Sequence, residues 1–221
     1  MADWFANVDW AEILEASLDT LTMLGLSLGF TVLIGLPLGL LMYLTGRGQL
    51  HAHVGIYRLL TLVVNVLRSM PFIILLIVMV PLTNLITGTT LGISGAVPPL
   101  VAGTAPFFGR LVETALREVD RGLIEATQAM GGNVRQLVWH TLLPEARSGL
   151  IASITVTAIL LVDYTAMAGV VGGGGLGDLA IRFGYQRFQT DVMIVTVGLL
   201  IMLTQFLQSG GDRLVAHFSH R

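Results

Sequence analysis

Residues 125–144 read EATQAMGGNVRQLVWHTLLP. The stretch is polar, carries Arg135 and breaks at Gly131 and Gly132, yet it lies between long apolar runs. In a chain that lives in lipid, such a segment belongs outside the hydrocarbon, where another protein can hold it. Leu123, Ile124, Thr127 and Met130 recur at helical spacing and leave Glu125 and Gln128 on other faces. Gly131 and Gly132 end that helix, because glycine tolerates the left-handed closing conformation. Asn133 followed by Gln136 forms the pattern of a capping box and starts a second short helix. Leu137, Val138 and Leu142 give it an apolar side, and Pro144 marks the return to the membrane. Two readings remain open on these residues: an amphipathic segment lying on the bilayer surface, which Arg135 and Trp139 would suit, and a lever gripped by a partner.

Working outward, composition sets the class. The chain of 221 residues is 54% hydrophobic and 12% charged, with mean hydropathy +0.80. Soluble domains are about one quarter charged, so this is an integral membrane protein with room for one helical bundle. The net charge of -2 gives no reason to expect nucleic acid. All basic residues are Arg, and there is no Cys, which excludes disulfides, thiolate metal sites and Cys nucleophiles. Asp3, Asp9, Glu12, Glu15 and Asp19 precede the first apolar run with no Arg among them. A cleaved signal peptide has the opposite polarity, so an uncleaved anchor is expected.

A spanning helix needs roughly 20 apolar residues. Five spans are expected, at about 20–46, 59–82, 91–110, 149–171 and 192–208, with no strand periodicity, so the fold is all-α. A turn around Pro81, Asn84 and Gly88 separates the second span from the third. Pro98, Pro99 and Pro106 in the third are tolerable inside a membrane bundle. Arg47 and Arg58, then Arg110, Arg117, Arg121, Arg135 and Arg147, then Arg213 and Arg221 fall on one side of this topology; only Arg182 and Arg187 fall on the other. The excess of Arg marks the cytoplasmic side. The N-terminus is expected outside, as a tail over 1–16. The membrane body covers 17–209, with the polar segment 117–144 and a C-terminal tail over 210–221 in the cytoplasm.

Glu125-Ala126-Thr127, then Gly131, then Leu143-Pro144 resembles the EAA signature of ABC importer permeases. That pattern is Glu-Ala-Ala, three residues, Gly, nine residues, Ile, one residue, Leu-Pro. Thr127 stands here for the third Ala and Thr141 for the Ile. The resemblance continues through TGRGQL (45–50), YRLLTLVVNVLRSMPFIILL (57–76), PLTNLITGTTLG (81–92), GTAPFFGRLVETAL (103–116), GLIEATQAMGGN (122–133) and GGLGDLAIRFGYQ (174–186). These blocks are similar to the five-span methionine ABC transporter permeases. The resemblance implies the type I importer permease fold and a homodimer bound to two ATP-hydrolysing subunits. It implies an extracytoplasmic substrate-binding lipoprotein that delivers L-methionine, D-methionine or derivatives, and a bacterial inner-membrane location. It makes residues 117–144 the coupling segment, with Glu125, Ala126, Thr127, Gly131, Gly132, Leu143 and Pro144 as its ATPase-coupling residues. The chain has no P-loop, so ATP and Mg belong to the partner ATPase and this subunit is not itself an enzyme.

Arg68 and Asp163 are charges inside expected spans, and such charges usually face a bundle interior. They are expected at neighbouring depths and so within pairing reach; Arg68 also has the option of snorkelling to the headgroups. With Tyr164 and Met167 they are the pathway or gating candidates. Met130, Met167, Met193 and Met202 form either bundle filling or a thioether stripe. GGGGLG at 172–177 fits a dinucleotide fingerprint only formally, because it follows a span rather than a strand; an irregular external turn is the expectation. His51 and His53 lack a third ligand, so no metal site is expected. The alternatives are a permease for another amino acid or small solute, a secondary carrier, and a membrane enzyme. An enzyme needs a cluster of reactive groups at one depth, and none is visible. A secondary carrier often shows an internal repeat, and none is found.

Overall fold

The computed structural model describes residues 7–46, 48 and 52–218. Asp3, Arg47, His51 and Arg221, with Gln49 and Leu50 of the 45–50 block, lie outside them. Helix α1 (Trp10–Thr45) starts ten residues before the expected Thr20, because Asp9 caps it by accepting from the backbone N–H groups of Ala11 and Glu12. Residues 10–16 of the stretch read as an external tail are therefore helix.

The expected second span is two helices. α2 (Val54–Ser69) and α3 (Phe72–Thr87) meet at a bend of 109°. The cause is Pro71, which lacks an N–H and pushes the residue before it out of the helical region; Met70 adopts φ -81, ψ 129. The span expected over 59–82 is therefore broken at Pro71. Pro81 and Asn84 lie inside α3 rather than in a turn. The helix closes at Gly88, in the left-handed region at φ 73, whose N–H bonds to Asn84 O at 2.9 Å.

α4 (Gly92–Arg117) is the central helix and packs against α1, α2, α3 and α8 (Arg147–Gly169). It runs through Pro98, Pro99 and Pro106 without a break. Fourteen of its 26 residues are buried, so it meets protein more than lipid. Its crossing with α1 is very close: a Cβ on Gly35 would stand 2.8 Å from Ala105 O, and one on Gly39 2.5 Å from Gly109 O. Small residues four apart on each helix permit that approach. A 2.6 Å hydrogen bond between the hydroxyls of Thr31 and Thr104 closes it.

Beyond the polar segment come α8 (Arg147–Gly169), the short α9 (Gly175–Leu179) with a π-helical turn (Ala180–Tyr185), and α10 (Thr190–Phe218). α10 thus takes in most of the expected C-terminal tail. The first half of the GGGGLG run, 172–174, is an irregular turn and its last three residues open α9, with Gly172, Gly174 and Gly175 all at positive φ. It docks on α1: Leu176 N–H donates to the Thr20 hydroxyl at 2.9 Å, and Arg182 bridges Asp178 and Glu12. Asn7 bonds Asp191 through its backbone and side-chain nitrogens, and the backbone bond leads in holding that carboxyl below its ordinary pKa.

α1, α8 and α10 are each long and apolar enough to cross a membrane, and the bent α2–α3 pair makes a fourth crossing when counted as one span. Leu18, Leu33, Ile77, Leu85, Ile201 and Phe206 point outward from these helices, as suits lipid. Four buried hydroxyls, those of Thr20, Thr104, Thr157 and Thr196, donate to carbonyls four residues back in their own helices, while those of Ser27 and Thr83 have no hydrogen-bond partner among the described residues.

Candidate functional site

The polar segment folds as two short pieces around a defined corner. α5 (Arg121–Ala129) is opened by Asp120, whose carboxylate accepts from Gly122 N–H at 2.6 Å. It closes with a Schellman motif. Gly131 sits at φ 78, its N–H bonds to Gln128 O at 2.9 Å, and the Gly132 N–H bonds to Thr127 O at 3.0 Å. Asn133 then starts α6 (Val134–Gln136), with both arms of the capping box made at 2.9 Å.

The chain next widens into a π-helical turn (Leu137–Leu142) before α7 (Leu143–Glu145). Leu143 N–H reaches back five residues to Val138 O. Pro144 supplies the reason. It has no N–H for the His140 carbonyl, and its ring would collide with that carbonyl in a regular helix. The wider turn relieves both problems. The Leu143-Pro144 pair thus sets the pitch of the whole second piece.

Leu137 and Leu142 are buried against Tyr43, Phe108, Val112 and Leu116, anchoring the segment to α1 and α4. The opposite side is open. Glu125, Ala126, Gly131 and Pro144 are exposed, while Thr127, Gly132 and Leu143 are half-buried. Glu125 has no hydrogen-bond or ion-pair partner among the described residues. Leu123, Met130 and Trp139 also face out, Met130 at 81% exposure. Between the two pieces, Thr127 Oγ1 and Thr141 Oγ1 stand 2.9 Å apart. These are the two positions that depart from the EAA pattern, and they meet each other.

Sequence reasoning missed one cluster here. Glu113, on α4 and 2% exposed, takes ion pairs from Arg110 at 2.6 Å and Arg117 at 2.7 Å. Tyr57 of α2 donates its hydroxyl to the same carboxylate at 3.2 Å. The hydrogen bond to Glu113 raises the Arg117 pKa still further above its ordinary value. The signal was present as Arg residues three before and four after a Glu, the spacing of neighbours on one helix face. The cluster ties α2 to the end of α4 that leads into the polar segment.

The pathway candidates are only partly brought together. Arg68 ends α2 and lies over the Phe107 ring, 5.6 Å from its centroid. Among the described residues no ion pair joins it to Asp163, so the expected pairing is corrected. The side chain is turned toward α4, while Asp163 lies on the exposed face of α8 with Val156, Met167 and Val170. Tyr164 points the other way and shares with Arg68 a cavity of about 250 Å³ at the α2–α3 break. Its ring stacks on Phe72, with centroids 4.1 Å apart. Met193 and Met202 share α10 but stand nine residues apart, on opposite faces of that helix, while Met130 follows α5 and Met167 lies on α8, so the four make no single stripe.

This geometry describes a bundle with an outward-facing polar corner held rigidly to its core. Residues 35–217 match the family of the binding-protein-dependent transport system inner membrane component. This chain belongs to that family. It is 45% identical to the probable D-methionine transport system permease protein MetI of Vibrio cholerae, over 100% of this chain and 98% of that protein. It is 44% identical to the methionine import system permease protein MetP of Bacillus subtilis, over 95% and 94%. A solved structure of the MetNI methionine ABC transporter in an inward-facing conformation superposes with TM-score 0.94 at 44% identity, covering 96% of this chain and 98% of that one. An amino acid ABC transporter solved with histidines superposes with TM-score 0.76 at 16% identity, covering 96% and 99%, and shares the fold. The permease is an all-helical membrane component with the type I ABC importer fold.

Proposed function

We propose that this chain is the membrane-spanning subunit of an ATP-driven importer of methionine, in its L-form and in D-methionine or derivatives. The observation that carries this reading is the corner at residues 125–144: an exposed Glu125, without an ion-pair or hydrogen-bond partner among the described residues, beside exposed Leu123, Met130 and Trp139, on two short helices anchored in the core by Leu137 and Leu142. A short helix seated in a groove is a common recognition mode. Here the groove belongs to a separate ATPase subunit, which binds the ATP and Mg. The likeness to methionine permeases along nearly the whole chain supports the cargo.

Two copies of the chain form the pathway with two ATPase subunits, and an extracytoplasmic lipoprotein delivers substrate. Each copy crosses the membrane five times, with the second crossing broken at Pro71. The N-terminus lies outside and the C-terminus in the cytoplasm, which the Arg distribution supports. ATP binding draws the ATPases together, the 125–144 corners follow, and the bundle opens outward; hydrolysis returns it inward. Arg68, Asp163, Tyr164 and Met167 belong to the pathway. Asp163 supports the dimer, since an acid on an outward helix face is costly against lipid and suits a face covered by protein or water.

Uptake into proteoliposomes holding the permease, ATPase and binding protein tests the reading. Unlabelled methionine is expected to suppress uptake of labelled methionine, and other amino acids are not. Equal suppression by an unrelated amino acid would favour a permease for a different solute. Uptake by this chain without its ATPase, driven by an ion gradient, would contradict the reading outright.

A further inference from the structure

We infer that the cavity at the α2–α3 break is a binding station for the transported amino acid, with Arg68 taking its carboxylate and the aromatic walls its side chain. The inference rests on the methionine-import reading and deepens it. The cavity holds about 250 Å³ between α2, α3, α4 and α8. Arg68 is its one charged lining residue, and no carboxylate partners it among the described residues. An Arg within a span is costly unless it faces protein or a water-filled space, so this side of the bundle is the solvated one. The guanidinium rests over Phe107, which uses its face and leaves its in-plane N–H groups for an acceptor. A carboxylate is the acceptor that fits that planar fork.

The rest of the lining is apolar and aromatic. Phe72 and Tyr164 stack at an interplanar angle of 11°, with Phe107 and Leu160 completing the walls. Sulfur makes favourable contacts with aromatic rings, so a thioether side chain suits this surface. Gly103 keeps the floor open, because a Cβ there would stand 3.3 to 3.4 Å from Leu75, Phe72 and Tyr164. Pro71 is needed for all of it, since an unbroken helix would carry Arg68 and Phe72 along one axis. Nothing here selects the hand of the α-carbon, which accords with one site serving both enantiomers.

The chain has no Cys, so Leu160→Cys gives a single reporter in the cavity wall. The assembled complex in detergent is labelled with a small thiol reagent. Methionine is expected to slow labelling, methioninamide, which lacks the carboxylate, is not, and Arg68→Gln is expected to abolish the protection. Arg68→Lys keeps the charge without the fork and should protect at a methionine concentration about tenfold higher. Co-purification with the ATPase subunit verifies that each variant assembles. Protection by methioninamide equal to that by methionine would overturn the site, as would protection undiminished in both Arg68 variants. An unmodified complex that imports methionine while methionine leaves Leu160→Cys unprotected overturns the site and spares the function. A complex that imports no methionine takes both down.

Discussion

Thr127 and Thr141 show how two departures from a pattern can compensate one another. Thr127 Oγ1 donates to Leu123 O at 2.8 Å, so its single proton is used and Thr141 must donate in the contact between them. Replacing Thr127 by Ala leaves the half-buried Thr141 hydroxyl without its acceptor, at a cost of about 1 kcal/mol. Replacing Thr141 by Ile as well restores an apolar contact, so the double variant should recover most of the loss. Thermal unfolding of the assembled complex reads this; two losses that simply add would show that the hydroxyls do not interact. Glu113 is the second residue of consequence. Glu113→Ala strands Arg110 and Arg117 beside a buried hole. It should destabilise by about 2 kcal/mol, below the cost at a wholly buried pair because both arginines reach solvent. Glu113→Gln keeps an acceptor and should cost less. A lower midpoint for Gln than for Ala in the same unfolding assay would contradict the role given to the cluster.

Among the elements, the corner at residues 131–136 was the most legible in sequence. The Gly131-Gly132 closure and the Asn133–Gln136 capping box depend on local hydrogen bonds, and both form as expected. The π-helical turn before Pro144 was not read, because it depends on how the chain relieves a proline already inside a helix. The size of the break at Pro71 was not legible for a related reason: a proline's local effect is fixed, but whether the helix kinks or folds back by 109° depends on what packs beyond it. Glu113 escaped notice because burial of a charge is a tertiary fact, although its flanking arginines were in view. The Arg68–Asp163 pairing failed because depth along a span says nothing about which face a side chain takes. At this scale, Gly131→Ala strains a backbone at φ 78 by about 1 kcal/mol, and Asn133→Ala removes a cap worth a similar amount. Both should lower methionine uptake per ATP hydrolysed in proteoliposomes, while the same changes at Gly198, which faces open space, should not. Unchanged stoichiometry in both corner variants would mean the corner's shape is not what transmits force.

At the scale of the whole molecule, polar and apolar surfaces are divided by what covers them. The outward leucines and isoleucines of α1, α3 and α10 suit lipid. The exposed corner of residues 125–144 does not, and a partner must cover it. Topology follows from the same division: a reporter fused after residue 218 is expected to read as cytoplasmic, and an external reading would invert the placement of the corner. The central claim is that this corner carries the motion of a separate ATPase into the bundle. Measuring methionine taken up per ATP hydrolysed by the reconstituted complex, with Glu125→Ala in the permease, tests it most directly. Hydrolysis is expected to continue while uptake per ATP falls about tenfold or more, the loss expected when a charge-bearing contact at an interface is removed. Uptake per ATP equal to that of the unmodified complex would contradict it.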